Sequence, residues 1–145
     1  MCNTRNTMIQ PVIAAALICA AAWGLAWPSD VHAAETVLTC VAKTEGGDLI
    51  NFTCPLVGSG ASQLYRLRAD FGGSHDDTSA SLKATLDGAP LECDDGSKLA
   101  SEGEDGDVRL ECRFRVNGNK GTTRLLAITL LWSHAQLVRT EFVSE

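Results

Sequence analysis

Helical periodicity is the first thing missing from this sequence. Beyond residue 34, no stretch keeps apolar residues at a 3.6-residue spacing for three turns, which argues against an amphipathic helix and for strands. Aromatic residues are sparse at 6%. Cationic side chains are outnumbered, with Lys+Arg 12 against Asp+Glu 18 and a formal net charge of −6. That balance disfavours a nucleic-acid partner, which selects a basic surface. No C-x-x-C pair is present, and no G-x-S-x-G elbow or H-E-x-x-H helix. Gly58-Ser59-Gly60 lacks the lysine and the helix of a phosphate-binding loop. No cofactor is therefore expected.

A short basic start with Arg5 precedes the apolar run Val12–Trp27. Small residues follow at Val31-His32-Ala33-Ala34. This is the anatomy of a secretory signal peptide, with cleavage expected after Ala33 or Ala34. The apolar run falls short of the ~20 residues that span a bilayer. Residues 1–34 thus read as the signal and 35–145 as one domain, with no membrane span left after cleavage. A lipoprotein anchor on Cys19 is disfavoured by Leu17-Ile18 before it.

Export makes the remaining cysteines, Cys40, Cys54, Cys93 and Cys112, a disulfide framework rather than a zinc site. A turn at Gly46–Asp48 sets Glu45 against Leu49 and, counting back, Cys40 against Cys54. The pairs Cys40–Cys54 and Cys93–Cys112 follow.

Period-two segments recur between turn signals. Thr36–Thr44 and Leu49–Leu56 form the first hairpin. In Leu82–Cys93 the Asp87-Gly88 pair predicts a type I′ turn, with Leu86 against Ala89, Ala84 against Leu91, Leu82 against Cys93 and Lys83 against Glu92. Pro90 marks that strand as an edge. Leu64–Phe71 points Tyr65, Leu67, Ala69 and Phe71 inward. Val108–Val116 does the same with Val108, Leu110, Cys112, Phe114 and Val116. Thr123–Trp132 is apolar on both faces and is expected to be buried on both. A three-residue loop, Ser133-His134-Ala135, is expected to return the chain as a hairpin setting Leu130 against Val138, Ile128 against Thr140 and Leu126 against Phe142. Trp132 is expected in the core beside Phe114 or Cys112.

Seven or eight short strands at this spacing describe an all-β, single-domain antiparallel β-sandwich of immunoglobulin-like architecture. The order Cys…Trp…Cys of true immunoglobulin domains is absent, so the likeness is architectural only.

Three features could carry function. The acidic stretch Asp94–Asp107 fails the D-x-[DN]-x-[DN]-G calcium pattern in every register and reads as a mobile, solvent-exposed loop tied at Cys93 and Cys112, with no metal. Arg109, Arg113 and Arg115 share one strand face and form the candidate binding surface for an anionic ligand or an acidic partner. His75 and His134, with nearby carboxylates and serines, are the parts of a small hydrolase, but catalysis needs them to converge from separate elements. The preferred reading is a binding module rather than an enzyme, periplasmic or secreted, whose partner is another envelope or extracellular protein or an anionic ligand. The alternatives are that hydrolase and a structural envelope subunit assembling through edge strands. The Asn51-Phe52-Thr53 sequon falls inside an expected strand and is given no role.

Overall fold

The computed structural model describes residues 34–73, 77–94, 99–104 and 106–145, with the backbone alone at 101–104. The expected signal peptide and His75 lie outside these residues, and so do Asp95 and Asp105. The domain is all-β, an antiparallel sandwich stapled by two disulfides. Its strands are β1 (Thr36–Val37), β2 (Val41–Thr44), β3 (Leu49–Val57), β4 (Ser62–Gly73), β5 (Thr78–Leu86), β6 (Ala89–Pro90), β7 (Ala100–Glu104), β8 (Asp107–Asn117), β9 (Thr123–Ser133) and β10 (Ala135–Ser144). Sheet A has the order β1-β10-β4-β8, and sheet B the order β2-β3-β9-β5-β6 with β7 beside β5.

The alternation read from the sequence sets the core. Tyr65, Leu67, Ala69 and Phe71 of β4 and Val108, Leu110, Cys112, Phe114 and Val116 of β8 are buried. They face Phe52, Leu56, Leu82, Leu126, Ile128 and Leu130 of sheet B. Aromatic pairs bridge the layers: Phe52 meets Phe142 edge-on at 5.0 Å, and Phe71 meets Trp132 at 5.7 Å. Both disulfides join the expected partners, Cys40–Cys54 and Cys93–Cys112. The Asp87-Gly88 turn has positive φ at both residues (52° and 83°), as a type I′ turn requires.

The connections differ from expectation in four places. First, β9 and β10 are not a hairpin. His134, at φ 51°, turns the chain from sheet B into sheet A, so Leu130 pairs with Ile50 and Leu82, and Phe142 with Leu67. Second, Thr36–Thr44 is two strands in two sheets: β1 pairs with β10 and β2 with β3. Third, the hairpin after Asp87 is short. The Ala84–Leu91 bond closes it, and the Leu82 N–H then donates to the Leu99 carbonyl instead. Cys93 is therefore not set against Leu82, nor Glu92 against Lys83. These short strands raise the count from the expected seven or eight to ten among the described residues. Fourth, Trp132 is core, but it packs on Phe71, at the end of the sandwich away from Phe114.

The corner at His134 is close-packed. The buried Thr78 hydroxyl donates to the His134 carbonyl at 3.1 Å. A Cβ on Gly73 would lie 2.6 Å from that hydroxyl oxygen and 2.9 Å from the Gly106 carbonyl, so only glycine fits there.

Candidate functional site

The arginine row lies on the outer face of sheet A, on the edge strand β8. Register places each arginine among charges. Arg139, Asp70 and Arg109 form one row across β10, β4 and β8, and Glu141, Arg68 and Glu111 the next. The signs alternate across these two rows, whereas in the row beyond them Arg66 stands opposite Arg113. Asp70 accepts from Arg68 and from Arg109, both at 2.8 Å. Burial alone would raise the Asp70 pKa, but the hydrogen bonds and charges of Arg68 and Arg109 outweigh it and hold the carboxyl below its ordinary range. Arg66 gathers three carboxylates, Glu141 at 2.8 Å, Glu35 at 2.9 Å and Glu145 at 3.2 Å. Its Nε is buried and makes no aligned hydrogen bond, so the Glu145 contact is a charge contact only.

Within this lattice, Arg109 is bound to Asp70, and Arg113 reaches Glu111 at 3.1 Å and Glu145 at 3.8 Å. Arg115 is exposed and pairs with no carboxylate among the described residues. The three predicted residues thus share a face but differ in availability. The row is a nearly neutral lattice with one uncommitted guanidinium at its end.

His134 has the neighbours that a hydrolase reading asks for, in the wrong places. Its Nδ1 is 2.9 Å from an Asp77 carboxylate oxygen, and the Ser133 hydroxyl is 3.5 Å from that same nitrogen. A relay needs the acid on one ring nitrogen and the nucleophile on the other. Here both sit on one nitrogen, on exposed side chains. Ser133 gains no base.

The acidic stretch is partly a strand. Backbone pairing carries Ala100–Glu104 along β5, with Ser81 opposite Ala100 and Thr78 opposite Glu104. The expectation of a wholly mobile loop is corrected: the edge of β5 left open beyond Leu91 needs backbone partners, and this segment supplies them. At the loop's other end, Asp94 N–H donates to the Arg113 carbonyl at 2.6 Å. Among the described residues, no three His, Cys, Asp or Glu side chains converge to hold a metal ion.

The surface that sequence reasoning missed is the outer face of sheet B. Leu125 and Leu131 of β9 were expected to be buried with the rest of that strand, yet they are 50% and 47% exposed. Val41 and Val57 are 73% and 64% exposed. Register sets Val41, Thr53, Ala127, Thr85 and Pro90 in one row, and Leu49, Leu131 and Ser81 in another. Across β2, β3, β9 and β5 the outward charges are Lys43 and Lys83, and Lys43 is held by Glu45. The signal was present in the two-sided apolar run of β9, which is consistent with either a covered face or a sticky one.

No family profile matches the sequence, and no curated protein matches it either. Among solved structures, the chain is similar to an exo-β-1,3-galactanase from Phanerochaete chrysosporium (TM-score 0.34, 14% identity) over 75% of this chain. It spans only 26% of that enzyme's length. It is also similar to a family 35 carbohydrate binding module from Clostridium thermocellum (TM-score 0.32, 8% identity), over 76% of this chain and 89% of that one. Both likenesses are remote and say nothing of what this chain binds.

Proposed function

We propose that the protein is an exported binding module, periplasmic or secreted, that docks another envelope or extracellular protein through the outer face of sheet B. The observation that carries this reading is the exposure of Leu125, Leu131, Val41 and Val57 on one nearly uncharged sheet face. The apolar side chains fall in two groups, Val41, Val57 and Leu125 towards one end of the face and Leu49 and Leu131 towards the other, with the polar row Lys43, Asn51, Thr129 and Lys83 between them. Exposed apolar groups rimmed by polar residues mark contact surfaces. Strand spacings give the face about 20 Å of width and about 30 Å of length. The whole face, its polar row included, is thus on the order of 600 Å², near the ~800 Å² per partner of a stable interface. Scarcity of charge selects a partner surface that is itself flat and uncharged, since a charged one would lose its hydration without gaining a counter-ion. Export is supported by the two disulfides, which persist in oxidising compartments.

A photoreactive side chain placed at Leu125 or Leu131 should give covalent adducts with a discrete partner in the native envelope or medium, identified by mass. The same group at Glu111 or Arg115 should give few. Introducing charge with Leu125→Lys and Leu131→Lys should abolish capture while leaving the fold intact by circular dichroism. Adducts of twice the chain's own mass would make the partner a second copy, and equal labelling from both faces would sink the reading.

A second reading rests on Arg115. Its guanidinium is uncommitted beside Arg113, so an acidic ligand could dock at that end of β8. Loss of capture on Arg115→Glu, with sheet B variants unaffected, would favour it.

A further inference from the structure

Sheet A ends in the long strand β8 on one side and in the two-residue β1 on the other, which leaves most of the outer edge of the long strand β10 beside it uncovered. On β8 the chain protects itself. Asp94 N–H already bonds the Arg113 carbonyl, the Cys93–Cys112 bridge clamps that segment in place, and three arginines stand on the strand. Charged side chains and covering segments are the usual guards of an edge.

On β10 the cover stops early. β1 pairs only at Val37–Val143 and Thr36–Ser144, and the Leu38 N–H adds one bond to the Phe142 carbonyl at 2.8 Å. The chain then crosses to sheet B to form β2. That Phe142 bond identifies the residues whose backbone groups face away from β4. Thr140 is the next of them. Leu137 and Ala135 pair with Phe71 and Gly73, in the same alternate set as the Leu67 opposite Phe142, so their N–H and C=O groups face outward too. No backbone bond reaches these outward groups among the described residues. Ala135–Val138 carries no charge and no proline. Among the described residues this edge is guarded by Arg139 and by a bulge between Leu137 and Arg139, which leaves Val138 69% exposed. Beside this edge runs an open groove of about 410 Å³, walled by Thr44 and Asp48 on one side and Leu137 on the other, with Ile50 and Trp132 among its lining.

We infer that the outer edge of β10 over Ala135–Thr140 takes an extended segment of a partner protein as an added strand. The segment runs antiparallel, along the line that β1 would have followed had the chain not crossed to sheet B. Main-chain bonds to Ala135, Leu137 and Thr140 hold it, which is strand addition at a sheet edge. Alternate side chains, apolar and uncharged, enter the groove over Ile50, Leu137 and Trp132. The occupant is a single chain rather than a second copy's sheet, because the β2–β3 turn stands along the groove as its opposite wall. This contact is separate from the sheet B face, and either can fail without the other.

The test is residue-resolved amide exchange by NMR on the purified, oxidised protein. The probe is a synthetic acetylated and amidated peptide in which valine and threonine alternate between terminal lysines. At millimolar probe, the amides of Ala135, Leu137 and Thr140 should exchange at least tenfold more slowly, with Glu111 and Arg115 unchanged. The same peptide N-methylated at the positions facing the protein should have no effect. Equal protection by both peptides would mean that the main chain is not what binds, and would overturn the inference. So would protection on β8, no protection at all, or protection that grows with protein concentration without probe, which would make a second copy the occupant.

Discussion

The outer face of sheet A intersperses arginines with carboxylates, whereas that of sheet B holds Val41, Val57, Leu125 and Leu131 around two lysines. The two faces belong to one sandwich and share one core, yet they meet solvent in opposite ways. On sheet A the charges are largely spent on one another: Asp70 takes Arg68 and Arg109, and Arg66 takes Glu35, Glu141 and Glu145. Among the described residues, little is left over for a ligand except Arg115. On sheet B nothing among the described residues covers the aliphatic groups of Val41, Val57, Leu125 and Leu131. A row of like charges in sequence is therefore weaker evidence of a binding site than an apolar run that the fold leaves outside.

The comparison is broken most decisively on β9, where neighbouring leucines face opposite ways. Leu130 is fully buried, and Leu131 is about half exposed. Leu130→Ala should destabilise by about 2–5 kcal/mol, through lost burial plus the cavity left behind. Leu131→Ala should cost less than about 1 kcal/mol, since its side chain is only partly removed from water. Denaturant unfolding of both variants measures the gap. Losses of similar size would mean that the outer face of sheet B is covered within the chain, and would remove the ground for docking there.

These two residues also show what could and could not be read in advance. The alternation of β4 and β8 identified every buried residue of those strands, because period two is a local property with one face in water. The Cys40–Cys54 pair was legible because its register is counted from one turn. Connections between sheets were not. Ser133-His134-Ala135 looks like a hairpin loop, but a turn reports only that the chain reverses, not which neighbour the next strand takes. For β9 the alternation was uninformative, since both of its faces are apolar and periodicity cannot tell a covered face from an exposed one. The arginine row was legible as a row. Its neutralisation was not, because Asp70, Glu35, Glu141 and Glu145 arrive from other strands and from the chain's end.

A smaller effect separates the faces by pH. Asp70 has a folded pKa held below its ordinary value. A carboxylate of this kind contributes stability in full above its unfolded pKa of about 3.9, and that contribution is lost as pH falls through the lower folded value. Because Asp70 is a fifth exposed, the contribution is on the order of 1 kcal/mol. Asp70→Asn should lower stability by that amount at pH 7 and flatten the acid limb below about pH 4. Lys83→Met on sheet B should leave the acid limb unchanged. An acid limb in Asp70→Asn as steep as that of the wild type would show that Arg68 and Arg109 do not hold the carboxylate in solution.

The smallest expected effect concerns the one exception on sheet A. Arg109 is paired with Asp70, so Arg109→Ala should cost about 0.2–1 kcal/mol, the range of exposed ion pairs, and less at high salt. Arg115 lies on the same strand face and has no carboxylate partner among the described residues, so Arg115→Ala should change stability by less than about 0.5 kcal/mol. Salt should not alter that difference, because no pair is there to be screened. The two variants differ only in whether a partner already holds the guanidinium, so measuring them side by side at low and high salt isolates that variable. A loss above about 1 kcal/mol at Arg115, falling with salt, would reveal an intramolecular partner. The lattice of sheet A would then be complete, and the case for an acidic ligand at the end of β8 would go with its last uncommitted charge.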